Sequence, residues 1–120
     1  MVSPNTQIAI IEDDLAMRQA VARLCRALSM PNRSYSSAEE FLASEGLHYA
    51  TCLIVDVQLP GLSGFQLHDH LRKRGIHLPV VYITGQDQPQ VREKAHKAGA
   101  AAYLAKPFAA AELIAALRGH

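Results

Sequence analysis

A chain of 120 residues, 49% apolar and 19% charged, has the size and balance of one globular domain, large enough to bury roughly two thirds of its unfolded surface without disulfides. A formal charge of +1 gives no basic footprint, which argues against direct DNA contact by this segment. Cys25 and Cys52 read as reduced, partly buried thiols, the opening Met1–Gln7 lacks the basic and apolar stretches of a signal peptide, and no apolar run approaches the roughly 20 residues that span a bilayer; the expected compartment is the cytoplasm, with no membrane partner.

In chain order, Ile8-Ala9-Ile10-Ile11 is the first of four continuous apolar runs, and it ends on Glu12, Asp13 and Asp14. Met17, Val21, Leu24 and Leu28 then recur at helical spacing and predict a helix over 15–29, ended by Met30-Pro31. A weaker strand is expected at 33–36. Ser37, three residues before Glu40, has the spacing of a capping box and opens a short helix carrying Phe41 and Leu42. The second run, Leu53-Ile54-Val55, follows Cys52 and ends on Asp56. A loop from Leu59 to Gly64 leads to a helix through Phe65, Leu67, His68 and Leu71 that stops near Gly75. The third run, Val80-Val81-Tyr82-Ile83, ends on Thr84-Gly85; a helix over 87–98 follows, stopped by Gly99. The fourth run, 101–105, ends on Lys106-Pro107, and a last helix over 109–118 presents Ala110, Leu113, Ile114 and Leu117.

Apolar runs without alternation are the habit of strands covered on both faces, so five βα units predict an α/β fold with one parallel sheet between helices. Ligands of such sheets bind beyond the carboxyl ends of the strands, where Glu12, Asp13, Asp56, Thr84 and Lys106 would converge. There a carboxylate can accept a phosphoryl group if a divalent metal and a fixed cation neutralise the repulsion between anions. Asp56 is the candidate nucleophile. Glu12 and Asp13 supply oxygen ligands suited to Mg²⁺, Lys106 the cation, and Thr84 a hydroxyl. Gly85 lets its backbone approach closely, and the Lys106–Pro107 bond is a candidate cis bond that aims the lysine inward. Each residue alone has an ordinary reading as a cap, a turn or a solvated charge. Four such endings in order, each on its own buried strand, argue for a site. Glu12 and Asp13 are expected to repel each other and to raise at least one carboxyl pKa. His68 and His70, about 200° apart around a helix, are not expected to share a metal.

These residues resemble the receiver domains of two-component response regulators. The resemblance rests on Ile10-Ile11-Glu12-Asp13-Asp14, on residues 54–64 (IVDVQLPGLSG), on Ile83-Thr84-Gly85 and on Tyr103-Leu104-Ala105-Lys106-Pro107-Phe108, and spans the whole chain. It implies a flavodoxin-like (CheY-like) doubly wound sheet of five parallel strands in order 2-1-3-4-5. It further implies that Asp56 is phosphorylated by a sensor histidine kinase, that Asp13, Asp56 and the backbone carbonyl of Gln58 hold Mg²⁺ with Glu12 acting through water, and that Thr84 and Lys106 read the phosphoryl group. Gln58 and Gln86 stand where family members tune the lifetime of the phosphorylated form, and Tyr103 where an aromatic ring turns inward on activation. The stretch 59–64 and the Lys-Pro-Phe segment are similar to FixJ-type regulators, whose receivers precede a DNA-binding domain.

The implied role is a signalling switch rather than a turnover enzyme, promoting its own phosphorylation and dephosphorylation. Its fourth-helix, fifth-strand and fifth-helix surface would control a partner, a homodimer or an output domain beyond residue 120, with DNA reached only through that domain. A stand-alone receiver or phosphorelay scaffold is the alternative. A haloacid-dehalogenase-like phosphohydrolase would need an acid where Gln58 stands, and a non-phosphorylated scaffold would not need the full acid, Thr and Lys set.

Overall fold

The computed structural model describes residues 6–119; Met1–Asn5 of the opening stretch and the final His120 lie outside the described residues. Five parallel strands, β1 (Ile8–Ile11), β2 (Asn32–Tyr35), β3 (Cys52–Asp56), β4 (Val80–Thr84) and β5 (Ala102–Ala105), form one sheet in the order β2-β1-β3-β4-β5. In register, Ile11 stands beside Val55, Asp56 beside Ile83, and Thr84 beside Ala105, so the polar ends of these strands finish at one edge.

The continuous apolar runs have their expected cause. Alternate strand residues point to opposite faces, and each face is covered. Ala9, Ile11, Leu53, Val55, Val80 and Tyr82 pack under α2 (Ala38–Ala43), α3 (Gly46–Tyr49), α4 (Gly64–Lys73) and α5 (Pro89–Lys97). Ile8, Ile10, Ile54, Val81, Ile83 and Leu104 pack under α1 (Leu15–Ala27) and α6 (Ala110–Arg118). Fully burying one such aliphatic side chain contributes about 1.5–3 kcal/mol. Cys25 and Cys52 are free and buried, and burial pushes both thiols up to about 11.

Local differences from the sequence reading have local causes. Helix α1 stops before Met30-Pro31 because Ser29 takes a left-handed φ of 58°, letting Ser29 N–H bond Arg26 C=O at 3.0 Å and Met30 N–H bond Cys25 C=O at 2.9 Å. Strand β2 begins one residue earlier than expected, at Asn32. At α2, Ser37 accepts the Glu40 N–H at 3.0 Å, but the Glu40 carboxylate turns to Ser36 Oγ instead of closing the box. A full capping box appears at Ser63 and Gln66, where α4 starts. Asp87 lies outside α5, which starts with Pro89 at its first turn. The four-residue α3 has no counterpart in the sequence reading. On α6 the buried residues are Leu113 and Leu117, whereas Ala110 is exposed and Ile114 half-buried.

Candidate phosphoryl-transfer site

The last residues of β3 and β4 and the residues that follow β1 and β5 bring the expected side chains together. Oxygens of Glu12, Asp13 and Asp56 lie within 4.8 Å of one another. Lys106 Nζ reaches across the crevice to Asp56 Oδ2 at 2.9 Å and to Glu12 Oε1 at 2.5 Å. Asp56 is oriented from both sides, because its Oδ1 accepts the Gln58 N–H at 2.9 Å. Thr84 is buried at the end of β4, where its Oγ1 accepts the Gln86 N–H at 3.0 Å and its carbonyl accepts the Lys106 N–H at 2.7 Å. The Lys106–Pro107 bond is cis. The Gln58 and Gln86 side chains are bonded to each other at 2.6 Å, joining the loop after β3 to the loop after β4.

The two neighbouring acids are not equivalent. Asp13 is exposed, whereas Glu12 is fully buried with both oxygens engaged, Oε1 by Lys106 and Oε2 by the Asp14 N–H at 3.1 Å. Burial, set against the bonds from Lys106 and Asp14 and reinforced by the Asp56 charge, raises the Glu12 carboxyl to about 7. The repulsion expected from Asp13 is not among the causes; the acid that adds to the rise is Asp56. Between about 4.5, the ordinary value for the unfolded chain, and about 7 the folded protein holds a proton that the unfolded chain does not, so Glu12's contribution to stability falls as pH rises through that window. Burial pulls the Lys106 ammonium down, but its bonds to Glu12 and Asp56 outweigh it and leave the group raised, hence cationic at neutral pH. An all-oxygen set of carboxylates, one of them open to solvent, suits a hard divalent cation such as Mg²⁺, which asks for few protein ligands and keeps several waters.

Gly85 leaves open space at its backbone, where a Cβ would meet nothing within 4 Å. Gly64 is packed tightly against the site, since a Cβ there would fall 2.5 Å from the Asp56 carbonyl. Tyr103 is half-buried, with its hydroxyl donating to Asp87 Oδ1 at 3.1 Å and the Arg92 guanidinium 5.1 Å from its ring centre. The Asp87–Arg92–Tyr103 cluster has no counterpart in the sequence reading. His68 is buried and bonded through Nδ1 to Tyr82 Oη at 2.6 Å; His70 is exposed.

Comparison with known proteins agrees with this arrangement. Residues 8–118 match the family model described as response regulator receiver domain. The chain is 36% identical over 115 residues to nodulation protein W of Bradyrhizobium diazoefficiens, covering 96% of this chain and 51% of that protein. It is 36% identical over 111 residues to the transcriptional regulatory protein FixJ of Azorhizobium caulinodans, covering 92% and 53%. The crystal structure of FixJ-N superposes with a TM-score of 0.86 at 27% identity, covering 99% of this chain and 94% of that one. The chain thus spans about half the length of the curated relatives it matches. Among the described residues no helix is long and apolar enough to cross a membrane. With the sheet order, the acidic crevice and the family match in agreement, the chain belongs to the response regulator receiver domains, the phosphorylation-controlled signalling switches of two-component systems.

Proposed function

We propose that Asp56 is the phosphoacceptor of this receiver, taking a phosphoryl group from a phosphohistidine of a sensor histidine kinase. One Asp56 carboxylate oxygen forms the new O–P bond as the P–N bond to histidine breaks, leaving the imidazole as the departing group. The observation that carries this reading is the Lys106 ammonium held at 2.9 Å from Asp56 at the end of the central strand β3. Lys106 offsets charge on the incoming group. The Thr84 hydroxyl accepts from Gln86 in this structure, so its proton is free to donate to a phosphoryl oxygen. Asp13, Asp56 and the Gln58 backbone carbonyl would hold Mg²⁺, and Glu12 would act on it through water. Bound there, Mg²⁺ supplies charge neutralisation for the transferring group. The chain promotes its own phosphorylation and dephosphorylation without turning over a separate substrate. Loss of the phosphoryl group by hydrolysis is set by access of water past the bonded pair Gln58 and Gln86.

Output follows from Thr84 moving toward the phosphoryl oxygens and Tyr103 turning into the space released, which remodels the surface of α5, β5 and α6. A shift from about 1% to 99% active takes roughly 5.5 kcal/mol of differential stabilisation, within reach of a few charge-assisted hydrogen bonds. That surface would pair with a second copy or control a following DNA-binding domain, in the manner suggested by the relative named as a transcriptional regulatory protein, with the cytoplasm as the site of action. The test is intact mass after acetyl phosphate and Mg²⁺: one added phosphoryl group in the parent and none in Asp56→Asn. Equal labelling of the Asn variant would remove Asp56 from this role.

A further inference from the structure

Glu39 stands in the first turn of α2, but its carboxylate leaves that helix for the loop that follows the phosphoacceptor strand. Its Oε2 accepts the Leu62 N–H at 2.9 Å, a contact between residues 23 apart in the chain. The loop is shaped to receive it. Gly61 has a left-handed φ of 73°, and a Cβ at that position would fall 2.2 Å from Glu39 Oε2. The backbone conformation favours glycine there, and the Glu39 carboxylate lies in the space that a side chain would otherwise enter. The bond is charge-assisted, and the first turn of a helix favours an anion.

The position of this contact gives it its meaning. The near end of the loop is tied to Asp56, through Gln58 N–H on Oδ1 at 2.9 Å. The far end is tied by the Gly64 N–H on Val57 C=O at 3.0 Å and by the Ser63 cap of α4. Between them, Leu59 is buried and Leu62 packs half-buried against the core, and Glu39 holds the Leu62 N–H on the approach to the Ser63 cap. We propose that Glu39 is a positioning residue for the Asp56 site: its hydrogen bond to the Leu62 N–H fixes the loop so that Gln58 holds the Asp56 carboxylate in its receptive orientation and keeps its own backbone in place at the metal pocket. This inference rests on the assignment of Asp56 and Gln58 made above.

The test follows the Mg²⁺ dependence of acetyl phosphate labelling, by intact mass, in the parent, Glu39→Ala and Glu39→Gln, with amide exchange of Gln58 and Leu62 in the metal-free proteins. Removing a residue that orients metal ligands typically weakens metal binding by tenfold or more, so Glu39→Ala should need about tenfold more Mg²⁺ for half-maximal labelling, with the rate recovered at saturating Mg²⁺. Both amides should exchange faster. Glu39→Gln keeps an acceptor oxygen and should stay close to the parent in both readouts. Parental behaviour of Glu39→Ala, or equal loss in Glu39→Gln, overturns the positioning role while leaving the Asp56 assignment standing. A collapse of the whole fold in Glu39→Ala also overturns it, since the contact would then be an element of folding. If the parent itself takes no label, the Asp56 assignment fails, and the role of Glu39 fails with it.

Discussion

The two faces of the sheet are built from alternate residues of the same strands, yet they differ in chemistry. Under α1 and α6 the buried set is aliphatic or sulfur-bearing, with Ile8, Ile10, Val21, Cys25, Met30, Ile54, Val81, Ile83, Leu113 and Leu117, and Phe108 is packed at its margin. Under α2 to α5 the core holds Tyr35, Phe41 and Tyr82, with Phe65 and Tyr103 packed at its margin. Phe65 lies 4.8 Å from the Tyr82 ring centre, His68 is bonded to the Tyr82 hydroxyl, and Tyr82 stands beside Tyr103 in register. An aromatic core with hydroxyls and an imidazole has polar alternatives, and this is the face that adjoins Tyr103. The contrast teaches where the polar groups sit: Tyr82, His68 and Tyr103 and their hydrogen bonds lie on the side under α2 to α5, while the side under α1 and α6 is an apolar floor.

The sharpest way to break this contrast is to damage the floor. Leu113→Ala removes a fully buried side chain and should cost about 2–5 kcal/mol, read as a lower urea midpoint, while Mg²⁺-dependent labelling of the protein that remains folded is unchanged. Loss of labelling in the folded fraction would show that the floor takes part in the chemistry. On the other face, Tyr82→Phe keeps the ring and leaves the buried His68 Nδ1 without its partner, a cost of about 1–3 kcal/mol by the same measurement. An effect near zero would mean that the pair is not a structural bond.

A smaller effect sharpens the comparison through pH. Burial, then the charge of Arg72, holds His68 below its ordinary pKa, with Asp69 acting weakly the other way. The unfolded chain takes up a proton near 6.5 while the folded protein resists it, so the stability due to neutral His68 is present above about 6.5 and lost as pH falls below it toward the depressed folded value. Glu12 contributes the opposite slope in an overlapping range, so the two must be separated by substitution. The difference in stability between the parent and His68→Leu should therefore shift against the parent as pH is lowered from 7 to 5. A constant difference across that range would contradict the assignment.

Much of the frame was legible in sequence because its causes are local. Continuous apolar runs announced strands covered on both faces, and Gly75 and Gly99, with φ of 75° and 81°, end helices where expected. The acidic cluster, Thr84 and Lys106 were found because each follows its own apolar run. What escaped depends on contacts distant in the chain. Nothing in Glu12-Asp13 tells which acid turns inward; that is decided by Lys106, 94 residues away. Glu39 reads as an ordinary first-turn acid until Leu62 is beside it. Strand β2 lies at the sheet edge with Arg33 and Ser34 exposed, so its apolar signal is weak, and the four residues of α3 are too few to show a period.

The account's central claim is that a phosphoryl group at Asp56 is read through Thr84 and Tyr103 on the surface of α5, β5 and α6, and not at α1. Amide exchange of the protein with Mg²⁺ alone, against Mg²⁺ with the phosphoryl mimic beryllofluoride, tests it most directly. The predicted result is altered exchange across residues 84–106, centred on α5 and β5, with α1 exchanging as before. Unchanged exchange in 84–106, or a change confined to α1, would contradict it.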